Sequence, residues 1–238
     1  MMGINFHHNE NRNAYTTREA DISWRQTMRD LVQFENISNA LDVGCGGGIY
    51  SKALADMGVA SITGVDFSEA ILEGARENCK EYKNITFKYG NALDTGLDSN
   101  SFNLLLERAL IHHIEDLHSC FKEAYRILET NGIYIVQDRT PEDCLFEGNN
   151  GHIRGYFFEL FPRLIEKETN RRHDSSLVIE KLKEVGFKEV EEVKEGIVFN
   201  GITPHTVNIN NILVYNDEKI NPYLNIIVQC SLKLFFEE

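Results

Sequence analysis

Apolar residues in this chain fall into short runs separated by segments with helical spacing. Ala40-Leu41-Asp42-Val43, Ser61 to Val65, Ile85 to Tyr89, Phe102 to Leu106 and Ile133 to Val136 each have the length and β-branched or aromatic content of a buried strand. Between them, residues 49–57 read as a helix stopped by Gly58, and Ser68 reads as the N-cap of a helix running to about Cys79. Residues 116–128 place apolar side chains at 117, 121, 124, 125, 127 and 128, the spacing of one helix face, and Asn131-Gly132 reads as its stop. Strands alternating with helices over residues 39–138 predict an α/β fold: a doubly wound, mostly parallel sheet in a three-layer α/β/α sandwich. A ligand belongs at the carboxyl ends of such strands.

The flanks read differently. Residues 14–36 carry Tyr15, Ile22, Trp24, Met28 and Leu31 at spacings that suit one or two amphipathic helices ahead of the sheet. After Asp138 the alternation stops, and residues 141–174, rich in Gly, Asn, Arg and aromatics, read as an insertion or lid. Ser175 to Val185 resumes a helix ended by Gly186, and Phe187–Phe199 and Leu224–Leu232 read as final strands, the last antiparallel; Gly201 to Pro222 gives no clear pattern. The whole is expected to be one domain over 1–238, with a ligand-binding core at 38–138 and a C-terminal helix and strands at 175–238.

Net charge changes the list of partners. At −13 the chain has no broad electrostatic footprint for nucleic acid. Its five cysteines are scattered with no C-x-x-C pair, which suits reduced thiols and a cytoplasmic location. No stretch has the ~18 apolar residues of a membrane span.

The chemistry gathers at Asp42-Val43-Gly44-Cys45-Gly46-Gly47-Gly48, where four glycines in five positions follow the first strand. Glycine is needed where backbone turns with positive φ or where a ligand approaches without meeting a side chain. Asp66 follows Gly44 at about the 20-residue interval that puts an acidic residue at the tip of the second strand, within reach of ribose hydroxyls. The dinucleotide pattern G-x-G-x-x-G fails, because its third glycine falls on Ile49. Asp42 would repel a diphosphate and attract a cationic group such as a methionine ammonium.

These residues resemble the first two cofactor motifs of the class I S-adenosylmethionine-dependent methyltransferases, particularly the small-molecule type that includes the menaquinone and ubiquinone biosynthesis enzymes. The resemblance implies a Rossmann-like fold and S-adenosylmethionine as cofactor. It places Asp42, Gly44 and Gly46 at the methionine part, with Cys45 and Gly48 in the same cofactor-binding loop, Asp66 at the ribose, and Phe67 beside the adenine. Gly90-Asn91-Ala92 stands where the family has Gly-Asp-Ala, so Asn91, with Ala92, is the adenine-side candidate, accepting without charge assistance. The backbone of Glu107 and Arg108 would face the methionine end.

His112 and His113, in the run Glu107 to Ile114, are the candidate catalytic residues, because a neutral imidazole on the acceptor side can serve as general base. The competing role for either is packing or capping at a helix entry. His112, His113 and His118 lack a metal-ligand spacing, so no metal is expected. Arg139, His152 and Arg154 are candidates to anchor an anionic acceptor, against a salt-bridged lid; Tyr15, Arg18 and Trp24 pose the same choice at the other rim. The expected activity is methyl transfer to O, N or C of a small-molecule acceptor, leaving S-adenosylhomocysteine. The alternatives are a non-catalytic cofactor-binding regulatory protein and, against Ile49 and Asp42, a nicotinamide-dependent dehydrogenase. The chain does not name its acceptor or its oligomeric state.

Overall fold

The computed structural model describes residues 12, 16, 19–145, 147, 158–193, 198–199, 223–224 and 228–233. Five parallel strands form the centre: β1 (Asn39–Val43), β2 (Ser61–Asp66), β3 (Ile85–Tyr89), β4 (Phe102–Arg108) and β5 (Leu128–Asp138). With β6 (Glu189–Val193) and β9 (Val228–Lys233) they make one seven-stranded sheet in the order β3-β2-β1-β4-β5-β9-β6, where β9 runs antiparallel to both its neighbours. Two short strands, β7 (Val198–Phe199) and β8 (Tyr223–Leu224), pair separately. The order reverses between β1 and β4, the switch point at which doubly wound sheets bind ligands.

Helices cover both faces. Along each strand alternate side chains enter opposite layers. Leu105, Tyr134 and Val136 join Phe121 and Leu182 in one core, against α4 (Leu117–Ile127) and α7 (Ser175–Val185). Leu104, Leu106 and Ile135 join Trp24, Met28 and Leu54 in the other, against α1 (Ile22–Leu31) and α2 (Ile49–Asp56). Strands buried on both sides are why β4, flanked by β1 and β5, reads as a nearly unbroken apolar run.

Helix starts follow their caps. Ser68 Oγ accepts from Ile71 N at 3.4 Å to open α3 (Glu69–Asn78), and Asp116 accepts from Ser119 N at 3.0 Å to open α4.

The end of α4 departs from the sequence reading. The helix stops at Ile127, because Leu128 turns extended (φ −73°, ψ 140°) to pair with Phe102. Asn131, at φ 64°, lies inside an irregularity of β5, where pairing jumps from Phe102–Leu128 to Leu104–Ile133. Asn131-Gly132 thus serves a strand bulge; asparagine tolerates that left-handed conformation better than most residues. The segment read as one strand over 187–199 holds β6 and β7, and 224–232 overlaps β8 and β9. Within 141–174 the described residues include a helical turn, α5 (Pro141–Cys144), and α6 (Arg163–Asn170). Tyr15, Arg18, His152, Arg154 and the stretch 201–222 lie outside the described residues.

Candidate active site

Gly44, Gly46 and Gly48 have φ of 72°, 53° and 77°, so three of the loop's glycines take backbone shapes that other residues resist. The loop is pinned to β2: Gly44 N and Cys45 N donate to Val65 O at 2.7 and 3.0 Å. Gly46 N donates to Asp66 Oδ2 at 3.0 Å, while Ser68 N donates to Asp66 Oδ1 at 3.0 Å. Backbone on both sides therefore clamps the buried Asp66 carboxylate at the strand tip.

Asp42, at the end of β1, is buried and accepts from Ser51 Oγ of α2 at 2.6 Å. Burial pushes its carboxyl up to about 6 against the opposing Ser51 hydrogen bond, with the charge of Asp66 adding to the rise and that of Arg108 opposing it. The Arg108 guanidinium lies 4.2 Å from the ring centroid of Tyr50, the second residue of α2. Cys45 is buried, and desolvation drives its thiol well above the ordinary range, which disfavours the reactive thiolate.

On the adenine side of the sequence reading, Phe67 is 43% exposed next to Asp66, a large ring open to a ligand. Asn91 follows β3, and its Oδ1 already accepts from Leu93 N at 3.0 Å, which leaves one lone pair. Ala92 packs its methyl against the α4-side core. Glu107 and Arg108, consecutive on β4, face opposite layers. Glu107 points into the α4 side, where Cys120 Sγ donates to its Oε1 and Oε2 at 3.5 and 3.6 Å, and burial pushes its carboxyl up to about 7.

The two histidines sit in a 3-10 turn at Ile111–His113 beyond β4. His112 Nδ1 lies 2.9 and 2.8 Å from the two carboxylate oxygens of Asp138, at the end of β5, and His112 N donates to Oδ2 at 3.2 Å. Arg172 Nη1 donates to Asp138 Oδ1 at 3.0 Å, and Arg172 Nη2 donates to Glu168 Oε2 at 3.1 Å. These partners hold the buried Asp138 below the usual carboxylate range despite desolvation. The His113 ring stacks tilted, 4.0 Å from His112, and burial, then the His112 charge, pushes it down to about 4. His173 Nε2 approaches the carbonyls of Ile111 and Ile114 at 3.1 and 2.9 Å, bracing the turn.

Asp138 is legible as the end of the fifth strand at a candidate pocket rim, whereas nothing in the local sequence marks Arg172 and Glu168 as members of its network. Trp24 is fully buried and donates Nε1–H to Gln137 Oε1 at 2.9 Å, so it belongs to the core with one polar tie. His118 is exposed, 3.9 Å from Glu184, and stands apart from the other two histidines' network.

The loop fits a nucleoside bearing an amino acid. Gly44 combines its positive φ with a close neighbour, since a Cβ there would come 2.9 Å from Leu110 Cδ1, so both conformation and space favour glycine in the turn. Two buried carboxylates, Asp66 of β2 and Asp42 of β1, stand beside this loop.

Residues 41–136 match the family described as methyltransferase domain. A demethylmenaquinone methyltransferase of Staphylococcus epidermidis is 30% identical over 127 residues, 52% of this chain and 53% of its own length. The chain thus spans about half the length of this relative. One of the same description from Listeria welshimeri is 29% identical over 196 residues, covering 76% of this chain and 83% of its own. The crystal structure of an S-adenosylmethionine-dependent methyltransferase from Mesorhizobium loti superposes with a TM-score of 0.59 at 18% identity, covering 89% of this chain and 97% of that one. That likeness concerns the fold. The glycine loop, Asp66 and the β4–β5 pairing as far as Val136 all lie inside the stretch that matches the methyltransferase domain family.

Proposed function

We propose that this chain transfers the methyl group of S-adenosylmethionine to O, N or C of a small-molecule acceptor, releasing S-adenosylhomocysteine. The observation that carries this reading is the Asp66 carboxylate, clamped by Gly46 N and Ser68 N beneath a loop of left-handed glycines. Asp66 would hold the ribose hydroxyls, and Phe67 and Asn91 would border the adenine. Asp42 would face the ammonium. When bound, the cofactor supplies an electrophilic methyl on a sulfonium, so the protein's work is alignment, charge neutralisation and handling of the acceptor's proton.

His112 is the candidate base. Its Nδ1 is engaged by Asp138, which orients the ring and leaves Nε2 as the nitrogen that can take a proton. His113, pushed down to about 4 by burial, is a poor proton acceptor. It lines the turn instead. The net charge of −13 supports a small molecule over nucleic acid. Cys45, Cys79, Cys120 and Cys144 are buried free thiols, which supports a reducing compartment. Among the described residues no helix is long and apolar enough to cross a membrane.

Calorimetric titration with S-adenosylmethionine and S-adenosylhomocysteine tests the cofactor, and a screen with methyl-labelled cofactor tests transfer. Absence of binding by either at high micromolar concentration would overturn the proposal.

A further inference from the structure

A buried amide donor near the end of β5 lies outside the cofactor motifs. Gln137, 1% exposed near the end of β5, accepts the Trp24 indole N–H through Oε1 at 2.9 Å. An indole N–H only donates, so it fixes which end of the amide faces it. The other end, Nε2, carries two N–H groups and has no hydrogen-bond partner among the described residues. A buried, unpaired amide donor is costly, and native folds retain few of them without a use.

Its neighbour is a cation. Arg108 is the register partner of Gln137 across the β4–β5 pair, and the strand alternation puts both on the α1–α2 face. The Arg108 guanidinium rests on Tyr50, whose ring meets Trp24 edge-on at 4.8 Å. Trp24, Tyr50, Arg108 and Gln137 are therefore one connected group. It places a cation and an amide donor side by side, close to the carboxylate of Asp42, whose charge Arg108 favours. Adjacent donors repel each other and share an oxygen acceptor well. With Asp42 beside them, the three polar groups have the charge pattern of an amino-acid zwitterion's receptor: carboxylate for ammonium, cation and amide for carboxylate.

We infer that Gln137 Nε2 and Arg108 form a carboxylate-binding subsite, with Trp24 as the positioning residue that aims the amide. The inference rests on the methyltransferase reading and names a further ligand group at the same site. The carboxylate is either the amino-acid end of the cofactor or a group on the methyl acceptor, and binding experiments separate the two sources.

Gln137→Glu keeps the volume and the acceptor for Trp24 and replaces the donor with a second acceptor. Trp24→Phe keeps the ring and removes the N–H that fixes the amide. Calorimetry would compare S-adenosylhomocysteine with the same thioether lacking its carboxylate, on wild type and both variants, with acetate titrated separately into free and S-adenosylhomocysteine-loaded protein. If the cofactor supplies the carboxylate, Gln137→Glu weakens S-adenosylhomocysteine at least tenfold, leaves the decarboxylated thioether within twofold, and Trp24→Phe gives a smaller loss with the same selectivity. If the acceptor supplies it, both thioethers bind every variant alike, and millimolar acetate binds loaded wild type but not loaded Gln137→Glu. Equal weakening of both thioethers in a folded variant would overturn the subsite, and so would no change in either with no Gln137-dependent acetate binding; Gln137 would then hold a buried water only. Wild type that binds neither thioether counts against the methyltransferase reading, and acetate on the free protein then decides the subsite alone.

Discussion

Asp138 grips His112 Nδ1 with both carboxylate oxygens, at 2.9 and 2.8 Å, across the gap between the β5 end and the turn after β4. Arg172 Nη1 also donates to Asp138 Oδ1, at 3.0 Å, which helps fix the carboxylate that orients the ring. If His112 Nε2 removes the acceptor's proton, His112→Ala lowers kcat by about 10²–10⁴, the usual contribution of a positioned base. Affinity for S-adenosylhomocysteine stays within about twofold. A packing role alone would show the reverse, with lost stability and little effect on turnover in the folded fraction. Turnover and calorimetry on one preparation separate them.

Asp66 has two tasks, and its removal should register in both. Asp66→Ala deletes the ribose acceptor and frees Gly46 N and Ser68 N, which the carboxylate now holds at 3.0 Å each. The cofactor should bind about 1.5–3 kcal/mol more weakly, the range for a charge-assisted hydrogen bond. The ligand-free protein should also melt lower, because two backbone donors near a buried site lose their partner. Asp66→Asn, which keeps one acceptor oxygen, should fall between the two in titration and melting. Unchanged affinity in folded Asp66→Ala would remove the ribose role.

Local chemistry made the sheet and the loop legible. Short apolar runs with capped helices between them marked the central strands, and positive-φ glycines marked the turn, because those signals are complete within a few residues. The His112–Asp138–Arg172 network was not legible. It joins residues from β5, the turn after β4 and the segment after α6, and nothing in the local sequence of Arg172 tells of a carboxylate on β5. The same limit hid Gln137, whose polar tie to Trp24 crosses 113 positions. The end of α4 was misread for a related reason: Asn131-Gly132 is a valid helix stop, but pairing of Leu128 with Phe102 ends the helix earlier. Tertiary pairing overrode a local signal.

Gly48 joins loop stability to the helix that begins with Ile49. It adopts φ 77°, and a Cβ there would lie 2.7 Å from Cys79 Sγ and 2.9 Å from Phe87 Cζ. Gly48→Ala therefore combines a left-handed conformation with overpacking, and should cost about 2–4 kcal/mol in urea unfolding. Gly96→Ala provides the contrast. Gly96 also has positive φ, 68°, but nothing stands within 4 Å of its added Cβ, so only the conformational part, about 1 kcal/mol, should appear. Equal costs at the two positions would mean that close approach to Cys79 and Phe87 is unimportant.

Glu107 gives the fold a pH dependence that can be isolated. It is buried on the α4 side against Cys120, and burial raises its carboxyl from 4.5 to about 7; hydrogen bonds from Tyr134 and Cys120 oppose the shift and the charge of Asp138 adds to it. Below pH 4.5 the group is protonated folded or unfolded, and its stabilising contribution is fully present. As pH rises towards about 7 the unfolded chain gives up the proton while the folded one keeps it, so stability falls through that window and levels off above it. The size is about 3 kcal/mol at 1.36 kcal/mol per unit. Glu107→Gln removes the titration while keeping a polar side chain of nearly the same shape. The variant should match wild type within about 1 kcal/mol at pH 4.5 and be more stable by about 2–3 kcal/mol at pH 8.5. Asp42, raised to about 6, titrates in an overlapping range but is present in both proteins, so it cancels in the difference. Urea unfolding at four or five pH values reads this directly. Parallel curves for the two proteins would mean that Glu107 keeps an ordinary carboxyl in the fold.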